Sequence, residues 1–297
     1  MERGKKLKGI VAVMPSFFRQ DGEVDEDAVL SFTDHLARSG VHGVLVLGSN
    51  GECPYIRKED RKRIVELAVE SCAGRIPVIV GVNERGLDEA VEMVKHAEKT
   101  GADAALVALH RFYPLDDRQV VKFYRDLSAA SELPLLYYNF PSNTGITVSP
   151  EVIAGMASKG IIVGAKETIF DMEEIGRLAR LAGEGFSTFT GTTLNLTEAM
   201  SVGACGAICP LPNIVPDVSV ELYEALERGD DGRASGLQEK IRRLAPLLVS
   251  PAPHAMIKEA LRLLGHPVTP VVKSPLPSLE KGLSSQVVEV LKAAGLL

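Results

Sequence analysis

The sequence lacks the usual features of secreted and membrane proteins. Its four cysteines (Cys53, Cys72, Cys205, Cys209) are too few and too irregularly spaced for a disulfide framework, which indicates a reducing compartment. No apolar run approaches the ~20 residues that cross a bilayer. Basic residues precede a short apolar run at the N-terminus, but no cleavage pattern follows it. We therefore predict a cytoplasmic protein with no signal peptide and no membrane partner.

The chain also lacks a basic excess. Its formal net charge of −6 disfavours nucleic acid as a partner, because phosphate binding requires a positive surface. With 45% hydrophobic and 24% charged residues and no low-complexity tract, the chain has the composition of a soluble globular protein with a large core. A small molecule is the expected partner.

Several motifs that would point to a metal, a nucleotide cofactor or a serine nucleophile are missing. Neither G-x-G-x-x-G nor G-x-x-x-x-G-K-[ST] occurs, and there is no G-x-S-x-G elbow. The six histidines include no H-x-x-x-H pair, and His110 near Asp116 and Asp117 is the only, weak candidate metal ligand. We expect no metal and no cofactor.

Short apolar runs rich in β-branched residues recur along the chain and alternate with segments of helical periodicity. This alternation predicts parallel strands that are buried on both faces. The windows "HLARSGVHGVLVLGSN" and "HAEKTGADAALVALHR" repeat one plan of helix end, glycine and strand. The eight runs are 10–14, 43–47, 77–82, 103–109, 134–139, 161–166, 187–191 and 206–210.

Eight such units favour an α/β fold of the (β/α)₈ TIM-barrel type. We assign the barrel to residues 1–228 and a C-terminal helical appendage to residues 229–297. A doubly wound sheet is the rival fold, but it would require the phosphate-binding glycine fingerprint that is missing here.

Active sites of such barrels lie at the C-terminal ends of the strands. Lys166 closes the sixth run, "IIVGAK". It could be an ordinary lysine that reaches water at the end of a strand. Alternatively, it could be a desolvated amine that attacks a carbonyl in its neutral form.

Two further strand ends carry candidate residues. Tyr138 lies in "LLYYNF" and could relay a proton or simply pack in the core, and alternation allows only one of Tyr137 and Tyr138 to face the barrel interior. The stretch "GSNGEC" could be a plain turn. It could also bind a small anion through backbone N–H groups and the Ser49 hydroxyl.

Together, "GSNGE", "YNFPSNTG" and "GAKET", with "GACGAIC" at the eighth strand, resemble in order and spacing the dihydrodipicolinate synthase and N-acetylneuraminate lyase superfamily of class I aldolases. The resemblance covers essentially the whole chain. It implies that Lys166 forms a Schiff base with pyruvate or another 2-oxo acid, which then reacts with an aldehyde. It also implies that Tyr138 relays protons, that Ser49 and the N–H groups of Ser49 and Asn50 hold the carboxylate, and that Gly191 and Ile208 line the pocket.

The sequence departs from typical dihydrodipicolinate synthases in three places. Ser49 and Asn50 replace two threonines, and Asn143 replaces an arginine that grips the second substrate. In "LHRFYP", Arg111 falls where the synthases have a relay tyrosine, with Tyr113 two residues away, and the sequence does not decide between them.

Thr168, two residues after Lys166, is typical of the family's lyases, in which a hydroxyl residue contacts the substrate hydroxyl. The motifs are most similar to those of the 4-hydroxy-2-oxoglutarate aldolase branch. We therefore predict an aldolase that acts on a 4-hydroxy-2-oxo acid. A sugar-acid aldolase and dihydrodipicolinate synthase itself remain alternatives.

Two hypotheses of other classes remain. A catalytically silent barrel could bind a small acid as a sensor or scaffold, although binding alone requires neither Lys166 nor Tyr138. A metal-assisted aldolase would be inhibited by a chelator. The resemblance also implies a homotetramer built from tight dimers, with the segment after the fourth strand near the interface.

Overall fold

The computed structural model describes residues 6–297 and contains a closed barrel of eight parallel strands in sequential order. The predicted (β/α)₈ fold with C-terminal helices is therefore confirmed. Residues 1–5, on which the leader prediction partly falls, lie outside the described residues. The strands are β1 (Gly9–Val13), β2 (Gly43–Val46), β3 (Val78–Val82), β4 (Ala104–Val107), β5 (Leu135–Asn139), β6 (Gly164–Glu167), β7 (Ser187–Thr190) and β8 (Gly206–Cys209).

Helices surround the barrel, because each crossover between parallel strands packs a helix on the outer face of the sheet. In chain order they are α1 (Glu26–Arg38), α2 (Lys58–Cys72), α3 (Leu87–Thr100), α4 (Asp117–Ala129), α5 (Pro141–Thr144), α6 (Pro150–Ser158), α7 (Met172–Ala182), α8 (Leu196–Ser201), α9 (Pro216–Glu227), α10 (Asp231–Arg242), α11 (Pro253–Leu263) and α12 (Lys281–Ala293). Within the described chain, none of these helices has both the length and the apolarity needed to cross a membrane.

The sixth strand is shorter than the apolar run that predicted it. It begins at Gly164 rather than Ile161, because the left-handed Gly160 and a hydrogen bond from the Ile161 N–H to the Met156 carbonyl (3.0 Å) still belong to the end of α6. Burial of Ile161 and Ile162 against the core explains why their sequence resembles a strand. Lys166 and Glu167 still lie at the C-terminal end of β6.

The barrel closes where β8 meets β1. Gly206 has a φ of 146°, and a Cβ atom there would lie 2.0 Å from the Gly9 carbonyl oxygen, so only glycine permits this close approach. The register pairs Gly9 with Gly206 and Val11 with Ile208. The closure therefore places Ile208 beside β1 inside the barrel.

Alternation along the strands divides the core into two layers. Tyr137 faces outward and packs on Tyr124 of α4, with ring centroids 5.3 Å apart. Tyr138 faces inward, which decides the choice that alternation alone left open. The inner layer comprises Leu7, Val11, Val13, Leu45, Ile79, Ala104, Leu106, Ala108, Leu136, Tyr138, Phe189 and Ile208.

The C-terminal region reaches the loops that follow β1 and β2. Beyond α11, the Thr269 hydroxyl donates to the Phe18 carbonyl at 2.6 Å, and the Lys273 N–H donates to the Glu52 carboxylate at 2.6 Å. This segment therefore contacts the end of the barrel at which Lys166 lies. The proposed domain division at residue 228 stays a prediction.

Candidate active site

Lys166 and Tyr138 lie side by side at the end of the barrel because β5 and β6 pair in the register that aligns them. The Lys166 Nζ lies 3.1 Å from the Tyr138 hydroxyl and 4.3 Å from the centroid of its ring. Both side chains are buried, at 3% and 5% exposure respectively. Among the described residues, no carboxylate forms an ion pair with Lys166. Its amine therefore has the Tyr138 phenol within hydrogen-bond reach and no ionic partner in the described part of the chain.

Ser49 extends this contact to the loop after β2. Its hydroxyl lies 3.2 Å from the Tyr138 hydroxyl, so the phenol bridges the Ser49 hydroxyl and the Lys166 amine. Such a chain of an amine and two hydroxyls can pass a proton between its ends.

The loop of Ser49 also offers backbone donors. No hydrogen bond within the described residues uses the N–H of Ser49 or the N–H of Asn50. The Asn50 side chain, by contrast, points away into the core and donates to the Val13 carbonyl at 3.1 Å. Two adjacent unpaired N–H groups beside a hydroxyl form an arrangement that binds a carboxylate.

A cavity of about 280 Å³ opens above these residues. Tyr138 and Ser49 line it, whereas Lys166 is buried beside the Tyr138 ring and is not one of the lining residues. Asn143 of α5, which is exposed in the turn after β5, also lines the cavity. The lining residues are Ser49, Glu52, Pro54, Tyr55, Asn83, Ala108, His110, Tyr138, Phe140, Asn143, Thr144, His254 and Leu276.

Thr168 and Gly191 meet at the ends of β6 and β7. The Thr168 Oγ1 is buried and has no hydrogen-bond partner among the described residues. A Cβ atom on Gly191 would lie 2.6 Å from this oxygen, so glycine leaves it space. Ile208 is fully buried in the inner layer. The Thr168 hydroxyl therefore has unused hydrogen-bonding capacity, but Thr168, Gly191 and Ile208 do not line the cavity.

Arg111 and Tyr113 do not line this cavity. The Arg111 N–H donates to the Thr144 carbonyl at 3.1 Å, and its side chain packs beside Gly145. Tyr113 is 73% exposed and packs edge-on against Phe112, which is 88% exposed. A role for either residue in the site therefore stays a prediction.

Glu52, at the end of the turn that follows β2, lies in a buried network with Lys258. Its carboxylate accepts a hydrogen bond from the Lys258 ammonium at 2.5 Å, and both side chains are fully buried. Burial lowers the pKa of Lys258, and the Glu52 carboxylate opposes that shift. The single lysine in the apolar segment "HAMIKEALRLL" was the only signal of this pair in the sequence.

His254 was also missed as a site residue. Its Nε2–H donates to the Ser49 carbonyl at 3.2 Å, while its Nδ1 is buried without a partner among the described residues. Burial holds the pKa of His254 below its usual value. The ring is therefore neutral near pH 7 and contacts the backbone of the loop that carries Ser49.

Glu167 is the second buried carboxyl near the site, on the opposite side of β6 from Lys166. Its Oε2 accepts a hydrogen bond from the Asn139 side chain at 2.6 Å, but its Oε1 has no partner within the described part of the chain. Burial, opposed by Asn139, raises the pKa of Glu167 to about 7. The carboxyl is therefore partly protonated at neutral pH.

The described residues include no group of three or more histidines, cysteines or acidic residues that could hold a metal ion. His110 is exposed at the rim of the cavity. The expectations of no metal and no cofactor stay predictions.

Comparisons with known proteins match this chain to one family over nearly its full length. The model of the dihydrodipicolinate synthetase family matches residues 6–294. A 4-hydroxy-tetrahydrodipicolinate synthase from Thermodesulfovibrio yellowstonii is 30% identical over 98% of this chain and 99% of its own. A probable 2-dehydro-3-deoxy-D-pentonate aldolase from Escherichia coli K12 is 32% identical over 99% of both chains.

A solved structure provides a third comparison. It is a prophage protein of the dihydrodipicolinic acid synthase family from Escherichia coli K12, crystallised in complex with pyruvate. It superposes with a TM-score of 0.94 at 27% identity and covers 98% of this chain and 99% of its own. The similarity thus includes both the barrel and the C-terminal helices.

Proposed function

Because the chain belongs to the dihydrodipicolinate synthetase family, we propose that it is a Schiff-base-forming class I aldolase that makes or cleaves a 4-hydroxy-2-oxo acid. Pyruvate is the donor in one direction and the product in the other. The observation that carries this proposal is the row of the buried Lys166 and Tyr138 and the half-buried Ser49, spaced 3.1 and 3.2 Å apart. A lysine with a phenol in hydrogen-bond reach provides a nucleophile and a proton relay.

The chemistry follows from these positions. The neutral amine of Lys166 attacks the C2 carbonyl of the 2-oxo acid, and loss of water with uptake of one proton, relayed by Tyr138, gives a protonated imine. The imine draws electrons from C3, so C3 loses a proton to form an enamine that adds to an aldehyde. In the cleavage direction, the C4 hydroxyl loses its proton and the C3–C4 bond breaks. Tyr138 relays these protons through its contact with Ser49.

Three elements hold the substrate in this proposal. The N–H groups of Ser49 and Asn50, with the Ser49 hydroxyl, bind the carboxylate. The unpartnered Thr168 hydroxyl contacts the substrate hydroxyl next to the reacting bond, and Gly191 and Ile208 line the inner wall. Asn143, at the outer side of the cavity, contacts the far end of the acid.

The preference for a 4-hydroxy-2-oxo acid rests on Thr168 and Asn143. A synthase that condenses pyruvate with aspartate semialdehyde must bind a second carboxylate. The amide of Asn143 binds a carboxylate less strongly than an arginine would. The relatives include a protein named as a synthase and one named as a sugar-acid aldolase. Dihydrodipicolinate synthase activity is therefore the alternative, and assays with aspartate semialdehyde and with 4-hydroxy-2-oxo acids separate the two.

The test is intact-protein mass spectrometry after incubation with pyruvate and borohydride, followed by peptide mapping. We expect a reduced pyruvyl adduct on Lys166 and none in the Lys166→Ala variant. No adduct on folded wild-type protein, or unchanged turnover in Lys166→Ala, would contradict the proposal. A protein that binds pyruvate without forming an adduct would be the silent barrel.

We also propose a homotetramer in the cytoplasm. The exposed aromatic rings of Phe112 and Tyr113 lie together after β4 and form an apolar patch of the kind that associates. Cys53, Cys72, Cys205 and Cys209 are free thiols, as expected in a reducing compartment. A monomer in sedimentation at micromolar concentration would contradict the assembly.

A further inference from the structure

The loop that carries Ser49 ends in a strained residue. Glu52 has a φ of 58°, in the left-handed region, although it is not glycine. Such a conformation is unfavourable for a residue with a Cβ atom and persists only where surrounding contacts fix it. The contacts that hold Glu52 therefore also hold the loop from Gly48 to Glu52.

Those contacts come from the C-terminal region. One Glu52 carboxylate oxygen accepts from the Lys258 ammonium of α11, and the other accepts from the Lys273 N–H at 2.6 Å. Lys258 donates a second hydrogen bond to the Val271 carbonyl at 2.6 Å. The ammonium also lies 4.6 Å from the centroid of the Phe18 ring. The Glu52 and Lys258 charges therefore compensate each other where neither side chain reaches water.

Glu52 and α11 also form hydrogen bonds with the Ser49 backbone. The Glu52 N–H donates to the Ser49 carbonyl at 3.1 Å, and His254 of α11 donates to the same oxygen at 3.2 Å. The Ser49 hydroxyl, in turn, contacts Tyr138. A shift of Glu52 would therefore move Ser49 relative to the phenol and to the free N–H groups.

We propose that the Glu52–Lys258 pair, assisted by His254, is a positioning device through which the C-terminal region sets the carboxylate-binding loop against Tyr138. Neither Glu52 nor Lys258 takes part in the chemistry. The inference rests on the proposed function, because the loop matters for turnover only if it binds the carboxylate of a 2-oxo acid.

The first experiment measures how the rate of adduct formation with pyruvate and borohydride depends on pyruvate concentration. Glu52→Gln and Lys258→Met each leave one buried charge unpaired and should displace the loop. A displacement of about 1 Å near the reacting atoms can cost on the order of 100-fold in rate. We expect a loss of that size, with a higher half-saturating pyruvate concentration because the carboxylate donors move.

The double variant Glu52→Gln with Lys258→Met provides the rescue. Both charges are then gone. The amide introduced by Glu52→Gln can still accept from the Lys273 N–H, and the apolar chain introduced by Lys258→Met fills the space beside Phe18. We expect the double variant to recover about tenfold over the worse single variant, as contacting residues do when they are coupled. A purely additive loss in the double variant would contradict the proposal.

Glu259→Gln is the matched control. Glu259 is also a buried carboxylate of α11, but it pairs with Arg262 and Ser284 and does not touch the Ser49 loop. Its variant should form the adduct at the wild-type rate. An equal loss in Glu259→Gln would mean that the pair serves only the stability of the C-terminal region, and would overturn the inference.

Two further measurements keep the inference testable. If a single-charge variant does not fold, His254→Leu replaces it. Slower adduct formation in His254→Leu, with the rate recovered in His254→Gln, supports the inference. A wild-type rate in His254→Leu overturns it. A crystal structure of the double variant or of His254→Leu shows the position of the Ser49 loop directly, without any reaction with pyruvate. If Ser49 and Tyr138 keep their 3.2 Å contact in His254→Leu, His254 does not position the loop. Absence of an adduct in wild type would instead count against the proposed function.

Discussion

Two buried lysines at the same end of the barrel differ mainly in their partners. Lys258 has a carboxylate at 2.5 Å, a carbonyl at 2.6 Å and an aromatic ring. Among the described residues, Lys166 has only the phenol of Tyr138. An ammonium out of water requires compensation, which Lys258 has and Lys166 lacks. The comparison indicates that the paired lysine serves the structure, and it supports the proposal that the lysine without an ionic partner is the nucleophile.

The largest effect expected from this comparison is at Lys166. Lys166→Met should abolish turnover and adduct formation. It should leave the free energy of unfolding unchanged or raise it, because the variant removes an amine that has no ionic partner in the described barrel. Chemical denaturation of both proteins, with assays of each, measures the two effects. A strongly destabilised Lys166→Met protein would show that Lys166 is also structural.

Tyr138→Phe tests whether catalysis by Lys166 requires the phenol of Tyr138. The ring and its packing on Phe140 are kept, whereas the hydroxyl that contacts Lys166 and Ser49 is lost. We expect kcat to fall by about 10²–10⁴, the usual contribution of a positioned proton relay. Steady-state kinetics with a 4-hydroxy-2-oxo acid measures this effect. A kcat within a few-fold of wild type would assign the relay to another group.

Lys258→Met tests the other half of the comparison. The variant leaves the Glu52 carboxylate buried without its cation, and breaking such a pair typically costs about 3–5 kcal/mol. We therefore expect a lower free energy of unfolding by that amount, and recovery when Glu52→Gln is added. Urea denaturation at pH 7 checks both values. A stability equal to wild type would mean that the pair contributes no more than an apolar contact.

The sequence predicted one of these two lysines. Lys166 could be recognised because it closes an apolar run at the end of a strand, and barrel sites lie at such ends. Lys258 contacts a residue 206 positions away, and no local pattern specifies that contact. The barrel itself followed from eight repeated units, whereas the start of β6 was misplaced because buried residues after a helix resemble a strand.

The smallest expected effect concerns Glu167, a carboxyl that is as buried as Glu52 but has no cation among the described residues. Its pKa is raised from 4.5 to about 7 by burial, so the folded state binds a proton more tightly than the unfolded state. The contribution of Glu167 to stability is then lost as the pH rises from 4.5 to about 7 and does not change further above that. The Asn139 Oδ1 and the Glu167 Oε1, both without donors in the described chain, are acceptors that a proton would satisfy.

Glu167→Gln removes this titration while keeping an acceptor for Asn139. At pH 8 the variant should be more stable than wild type by up to about 3 kcal/mol, since each pKa unit corresponds to about 1.4 kcal/mol. At pH 4.5 the two proteins should be nearly equal, because wild-type Glu167 is then protonated in the fold. Glu70→Gln, on the exposed part of α2, is the control for a change of charge without burial. Parallel stability curves for wild type and Glu167→Gln across this range would show that Glu167 is stabilised as a carboxylate, and the contrast with the Lys258-paired Glu52 would then fail.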